Sequence, residues 1–380
     1  MFLILAGTLA QKPVKAQQPV WTLQACIEQA IKQNIQIRKS ELNIQVSEIN
    51  ADQTRSNRFP SVDGSLRQNF GWSTETDQLT GINSFQGSSS TSASVGSSMV
   101  LYNGQKLTNT IKQAHLDYES GKLDLEALKE SISLSVMDAY LQILYAEEQV
   151  TNSQHQVEVT TDELQLAAER LALSGISRAD YLQIQSQLAS EKLTLANARS
   201  LLAMNKVVLM QYMEQQLDHG FTVTKPDMSA VQNLHLNPNA DSIYQIALLI
   251  KPQIQSYSLR KESSDIGIGL AKADYYPRIS MDAGLGTGIN SLAQSSALAE
   301  QLGNNINPTV GLSLSVPIWS NKKIKNQVQI ARINTQNADL DLKNTMNQLR
   351  KSIEQACTDV VSAETEYEAS VEQYQANTEA

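Results

Sequence analysis

An internal repeat at one constant spacing limits what this chain can fold into. Ala30 and Ala247, Pro60 and Pro277, and Tyr102 and Trp319 each lie 217 residues apart, and Ala114 with Ala331, Leu125 with Leu342, and Ala139 with Ala356 keep that interval. The period is far longer than a solenoid repeat, so each copy is a unit of several elements that the chain builds twice. Copy one runs from about Thr22 to Asn237 and copy two opens at Asp241, with Thr22 and Asp241 as N-cap residues before helical patterns. The counterpart of Tyr212 would fall at 429, past Ala380.

Within each copy the hydrophobic period changes. Leu107, Ile111, Ala114, Tyr118, Leu125, Leu128, Ile132, Ala139, Ile143, Ala146, Val150, Val157, Leu164 and Leu171 recur at steps of three, four or seven. That is a coiled-coil seam, and at about 1.5 Å per residue it predicts a helix on the order of 100 Å long. After Gly175 the seam resumes as Leu188, Leu195, Leu202 and Leu209, so two long helices fold back on each other around Ser174 to Ala179. Copy two repeats the seam through Ile324, Val328, Ala331, Ala338, Leu342, Leu349, Ala356, Val360 and Ala363. Aromatic residues are only 5% of the chain and hydrophobic ones 41%, which suits thin seams better than thick cores.

Residues 61–72 and 92–102 follow a period of two. Val62, Gly64, Leu66, Gln68, Phe70 and Trp72 alternate with Asp63, Ser65, Arg67, Asn69 and Gly71; Ile279, Met281, Ala283 and Leu285 alternate with Ser280, Asp282, Gly284 and Gly286. Ala93, Val95, Met99 and Leu101 correspond to Val310, Leu312, Val316 and Ile318. One apolar face at period two predicts four strands, joined in pairs by polar stretches 73–91 and 288–308 read as long loops. Such strands, with aromatic residues at both ends, carry the pattern of a transmembrane β-barrel. The lipid-facing set is Val62, Leu66, Phe70, Val95, Ile279, Met281, Leu285, Val310, Leu312 and Val316, with an aromatic girdle of Phe59, Trp72, Tyr102, Tyr276 and Trp319. A soluble hairpin with one buried face is the other source of this alternation, but the helices spend their seams on each other and leave nothing to cover it. Four strands cannot close a barrel, and an open edge in lipid leaves backbone groups unpaired. Two copies would give 8 strands and an interior filled by side chains, and three would give 12 and room for a lumen. The long helices, which must continue the barrel as a hollow cylinder, favour a homotrimer in outer-membrane lipid.

Other classes are poorly supported. Thirty Lys+Arg against 39 Asp+Glu give a net charge of −9, with no basic stripe for nucleic acid. Leu23-Gln24-Ala25-Cys26 resembles a lipid-attachment site, yet residues 11–22 are mostly polar, so Cys26 is read as a small helix residue. Cys26 and Cys357 are too few for a disulfide framework. Phe2 to Ala10 is apolar and short, and with Val14-Lys15-Ala16 it reads as a partial signal peptide. His115, His155, His219 and His235 are scattered, and Gly284-Leu-Gly286-Thr-Gly288 completes no nucleotide fingerprint. No enzyme activity, cofactor or metal is expected.

The tandem repeat, Ala30 with Asn34, Lys251-Pro252, Phe59-Pro60, Tyr276-Pro277 and above all the segment Arg170 to Gln185 resemble the TolC-like outer-membrane efflux proteins over nearly the whole chain. The fold that this resemblance implies is mainly α with a β-barrel part: long coiled-coil hairpins and four strands per chain, forming a 12-strand barrel and a periplasmic helical tunnel as a trimer. The implied function is a passive outer-membrane conduit of a tripartite efflux or type I secretion system, located in the cell outer membrane with a periplasmic extension. The implied partners are a periplasmic adaptor (membrane fusion) protein and an inner-membrane pump of RND or ABC type. By the same resemblance Leu173, Ser174, Gly175, Ile176, Ser177, Arg178 and Asp180 form the adaptor-contacting tip, where Gly175 is also expected to supply the left-handed turn that ends the helix. The rival reading is a soluble periplasmic coiled-coil scaffold or adaptor.

These readings divide the chain into a partial signal peptide (1–18), helices of the first repeat (22–58), strands one and two (59–103), a long helical hairpin (104–214) and a linker (215–240). Helices of the second repeat (241–276), strands three and four (277–319) and an incomplete long helix (320–380) follow. The matching second tip would fall at 392, so residues 1–380 are expected to supply the strands but no sealed tunnel until about 50 further residues pair the last helix.

Overall fold

A computed structural model describes residues 21–76, 81–216, 220–226, 239–290 and 302–379; the signal-peptide reading lies outside them. The elements are α1 (Leu23–Gln33), α2 (Ile35–Ser56), β1 (Ser61–Thr76), β2 (Asn83–Tyr102), α3 (Lys106–Ala172), α4 (Arg178–Tyr212), α5 (Ala240–Ile250), α6 (Pro252–Ala273), β3 (Arg278–Asn290), β4 (Asn307–Ser315) and α7 (Lys323–Glu379). Two compact units contain them, one within Met1–Glu41 and Leu125–Leu236, the other within Leu42–Asp124 and Asn237–Ala380.

Helix boundaries follow local chemistry. The Thr22 hydroxyl accepts from the Ala25 N–H at 3.3 Å and opens α1. Asn34 ends α1 and directs the chain into α2: its side chain accepts from the Gln36 N–H at 2.9 Å and donates to the Tyr212 carbonyl at 3.1 Å. In the second copy the break is made by Lys251-Pro252, with Pro252 at the first position of α6, where its missing N–H costs no helical bond. Asp241 is not the N-cap of α5. Asn239 takes that place and accepts from the Ser242 N–H at 3.0 Å, while Asp241 sits in the first turn, where the helix dipole favours an acid.

The core of the first unit is a thin seam. Cys26, Ala30, Val136, Ile143, Ala146, Leu209 and Met213 are fully buried, and Leu188 and Leu195 of α4 are buried while Leu202 is half-buried. Trp21 makes a parallel bridge with Val223. The Tyr140 hydroxyl donates to the carbonyls of Trp21 and Thr224, and Lys206 donates to the Phe221 carbonyl at 2.9 Å. These bonds pin the segments around Trp21 and Phe221 to the helices. Burial raises the Tyr140 hydroxyl above its ordinary pKa.

In the second unit small polar side chains join helices. Ser256 donates to Asp124 at 2.6 Å and Ser263 to Asp117 at 2.7 Å, while Thr335 donates to the Ser264 carbonyl at 3.1 Å. Hydrogen bonds from Lys261 and Lys343 hold the Asp339 carboxyl down at about 2. Along α7, Ile324, Val328 and Thr345 are buried, but Ala356 and Ala363 are exposed. The half-covered stripe passes instead through Ile353, Cys357, Val360 and Glu364, because two consecutive steps of four, from Leu349 to Ile353 to Cys357, shift it by one residue from the heptad position.

The four strands form one antiparallel sheet in the order β1-β2-β3-β4. The stretch 73–91 is mostly strand: β1 continues to Thr76 and β2 starts at Asn83, and Ser73, Thr74, Glu75 and Thr76 pair with Gln86, Phe85, Ser84 and Asn83. Its Ser, Thr and Gly residues resemble a loop by composition, yet the period of two runs on through Thr74 and Phe85. β4 ends early, at Ser315, so Val316 and Ile318 follow the strand instead of lying in it. Pro317 has no N–H for a ladder, and the strand stops two residues before it.

The packing of Cys26 gives a direct check. Burial pushes its thiol from 9.0 up to about 11, so the fold favours the neutral form. That contribution is present below the ordinary thiol pKa and is lost as pH rises through about 11. At pH 8.5 Cys26 should resist alkylation in the folded protein and react at the ordinary rate once unfolded, with half-buried Cys357 faster in the folded state; equal native rates would contradict this packing.

Candidate functional site

Register sorts the sheet residues by face, because directly paired residues of an antiparallel ladder point the same way. One face carries the rows Val62–Ser97–Ala283–Val310, Gly64–Val95–Leu285–Pro308 and Leu66–Ala93–Thr287, with Met99–Met281–Leu312 below them and Phe70–Ser89 above. A register shift between Val100 and Tyr102 leaves Leu101 outside the ladder and pairs Tyr102 with Ile279, which pairs in turn with Leu314. The bulge keeps the last apolar residue of β2 on the apolar face. Val62, Leu66, Phe70, Val310 and Leu312 are 67–77% exposed. Val95, Met281 and Leu285 are exposed and Ile279 is half-buried.

The other face is made mainly of Ser, Gly, Asn and Thr together with Val100, and Asp63, Arg67, Arg278 and Asp282 are among its charged residues. Every even position of β2 from Ser88 to Ser98 is Ser except Gly96. Ser65 and Ser94 hydrogen-bond at 2.8 Å, and Ser61 and Ser98 at 3.1 Å. Ten residues separate the Met99 row from the Ser89 row. At about 3.3 Å per residue and a tilt of about 40° that is roughly 25 Å, the height of the apolar band of a membrane barrel. Gln68 lies within that band, and the Thr91 hydroxyl opposite donates to it. The pair satisfies itself where a lone amide would be costly.

The aromatic residues fall at strand ends. Phe59 and Tyr276 precede β1 and β3, Tyr102 closes β2, and Trp319 follows β4 with its indole N–H donating to Asn321 at 2.5 Å. Trp72 lies over Gly87, where an added Cβ would stand 3.2 Å from the indole nitrogen. Phe85 and Ile82 add exposed apolar surface near Trp72. They lie in the stretch read as loop, and the period of two continued one turn further would have found Phe85.

The turn between α3 and α4 has a defined geometry. Gly175 N–H donates to the Arg170 carbonyl at 2.7 Å and Ser174 N–H to the Leu171 carbonyl at 3.0 Å. This is a Schellman cap, with Ser174 as its left-handed residue at φ +58°. The expected left-handed role of Gly175 is therefore corrected. Glycine gives room there, since a Cβ would sit in tight contact, 3.3 Å from the Arg170 carbonyl. Ser177 then opens α4 in a capping box: its hydroxyl accepts from the Asp180 N–H at 3.1 Å and its own N–H donates to the Asp180 carboxylate at 3.2 Å. Leu173 is 84% exposed, Ile176 is half-buried, and Ser174, Gly175, Ser177, Arg178 and Asp180 are exposed.

Among the described residues no group of His, Cys, Asp and Glu could hold a metal ion, and no helix is long and apolar enough to cross a membrane.

The family described as outer membrane efflux protein matches residues 26–214 and 243–380. The toxin and drug export protein A of Aggregatibacter actinomycetemcomitans is 23% identical over 334 residues, covering 85% of this chain and 67% of that protein. Among solved structures, the outer-membrane channel OprN superposes with a TM-score of 0.77 at 18% identity, over 93% of this chain and 77% of that one. The open state of the Neisseria gonorrhoeae MtrE outer membrane channel gives 0.76 at 18% identity, over 94% and 77%.

The tip geometry predicts opposite effects at adjacent residues. Ser174→Gly relieves a left-handed strain of about 1–2 kcal/mol and should slow proteolytic nicking between residues 172 and 178. Gly175→Val should hasten it, and Ser177→Ala should cost about 0.5–2 kcal/mol of cap stability. Equal nicking rates in all three variants would show that these caps do not hold the turn.

Proposed function

Because this chain belongs to the outer membrane efflux protein family, an outer-membrane channel family of mainly helical proteins with a β-barrel part, we propose that it works as a homotrimeric export conduit. Three four-stranded sheets would close one 12-strand barrel, and the helices would continue it as a periplasmic tunnel. The observation that carries this reading is the sheet itself: one mainly apolar face about as tall as a bilayer's hydrocarbon, one polar face, and two free edges.

In this reading Val62, Leu66, Phe70, Val95, Ile279, Met281, Leu285, Val310 and Leu312 face lipid, and Val316 joins the interfacial turn after β4. Phe59, Trp72, Tyr102, Tyr276 and Trp319 anchor the two interfaces. The tip from Leu173 to Asp180 meets a periplasmic adaptor, which connects the tunnel to an inner-membrane pump of RND or ABC type. Small molecules or proteins pass through without chemistry. The scaffold alternative is not favoured, since the family match runs through both repeats and includes the strands.

A face-specific scan tests the reading. Arg at Val62, Leu66, Met281 or Leu312 should cost about 2–4 kcal/mol near the midplane and reduce membrane-inserted trimer, whereas Arg at Ser65 or Ser280 should be tolerated. Equal losses on both faces would refute the barrel. Cysteines at Ser174 and Ser177 should cross-link to the adaptor in cells that export, and their silence there would leave the tip a turn only.

A further inference from the structure

The sheet contains an unmatched pair of charges at its two ends. Asp282 lies on the polar face of β3, and its carboxylate reaches sideways across β4: a side chain at Gly311 would collide with it. Among the described residues its hydrogen-bond partner is the Ser313 hydroxyl, at 3.5 Å. Gly311 is on the outermost strand, so the carboxylate lies over the last strand of this chain, beside its open edge. Arg67 lies on the polar face of β1, the opposite edge, with no ion pair or hydrogen bond among the described residues.

Barrel closure brings those edges together, and its geometry fixes how. A tilt of about 35–45°, with about 3.3 Å rise and about 4.8 Å between strands, shifts the register by about 1.0–1.5 residues per strand. Over four strands the shift is about four to six residues, and it must be even to keep apolar side chains on one face. The sign follows from strand lengths: a shift the other way would set β4 against residues of α2 and the turn after it, which are not strand. The strand ends show the same stagger, since β1 starts opposite Ser98 and hence Asp282, four residues above the first residue of β3. A shift of six puts Gly311 opposite Arg67 of the partner subunit. A shift of four puts Thr309 opposite it, one rung away and within reach of a guanidinium.

Resting on the trimeric-channel reading, we propose that at each seam of the barrel the Asp282 carboxylate pairs with Arg67 of the partner subunit across Gly311, on the lumenal wall. The missing side chain at Gly311 opens the path between them. The pair also supplies something the seam otherwise lacks. Strands rich in Ser and Gly define their register weakly, and a slip by two residues leaves every side chain on its proper face. Only a specific contact penalises that slip, and a bidentate guanidinium–carboxylate pair is suited to do so.

Charge reversal in the full chain, expressed in outer membranes, tests this. Arg67→Glu and Asp282→Arg should each lower the yield of SDS-resistant trimer several-fold, and the double variant Arg67→Glu/Asp282→Arg should restore it. Disulfide formation in Arg67→Cys/Thr309→Cys or Asn69→Cys/Thr309→Cys should link subunits and report a shift of four or six. A wild-type chain that never runs as an inserted trimer would overturn the channel reading. A normal wild-type trimer with additive losses in the double variant, or with neither cysteine pair linking, would overturn the seam pair alone.

Discussion

A β-sheet edge in hydrocarbon is the constraint on which this structure turns. Each unpaired N–H and C=O in lipid costs several kcal/mol, since no water is there to bond it. This chain makes a sheet whose apolar face suits hydrocarbon and then leaves both its edges, β1 and β4, open. A single copy therefore has no stable place in a membrane. The apolar face excludes water and the edges exclude lipid, and the proposed cylinder of several copies would satisfy both. The unequal edges, 16 residues in β1 and 9 in β4, belong to the same solution, because tilted strands end at one barrel level only when their register is staggered.

The helices meet a different constraint, that of length without thickness. A coiled-coil pair has no broad core, so its contacts must repeat along the axis, and here they do so with small residues. Ala139, Ala146, Ala167 and Ala198 are buried in the seam along with leucines, and Ser256, Ser263 and Thr335 bond across the contacts of the second unit. Small side chains let helices approach closely, and each of these three hydroxyls donates to an acceptor on a neighbouring helix. Tyr140 is the exception in size: it replaces a methyl-scale contact with a ring whose hydroxyl reaches two carbonyls.

What the sequence made legible were its periods. The seam of α3 and α4 could be read because heptads repeat over many turns, and the four strands because one face stays apolar in both copies. Composition misled where it disagreed with period. The Ser-rich stretch from Asn83 to Ser92 looks like a loop, yet it is strand, because serine on a polar face costs a sheet little when the opposite face carries Phe70, Trp72 and Phe85. Single-residue geometry was beyond pattern. Nothing in Ser174-Gly175 tells which of the two takes positive φ; the Schellman bonds decide for Ser174, and a carbonyl 3.3 Å from where a Cβ would stand favours a residue without one next to it. Likewise the Gln68–Thr91 bond on the apolar face depends on a register that only pairing reveals.

The junctions where strands become long helices show how much the two copies share. Gly104 and Gln105 take φ of 65° and 67°, and Asn321 and Lys322 take 47° and 62°; each pair stands immediately before its helix and the two pairs lie 217 residues apart. Two consecutive left-handed residues are costly for L-amino acids, and asparagine is among the few side chains that tolerate the region. The second junction uses it at the first position. The first junction requires glycine there for a separate reason: a Cβ at Gly104 would stand 2.7 Å from the Ala273 carbonyl and 2.8 Å from the Tyr276 Cβ. Strain repeated at equivalent positions, and met by a different residue each time, is set by the geometry of the turn. The two left-handed residues turn the chain from strand into helix within one short step, and the strain they carry is the cost of that tight turn.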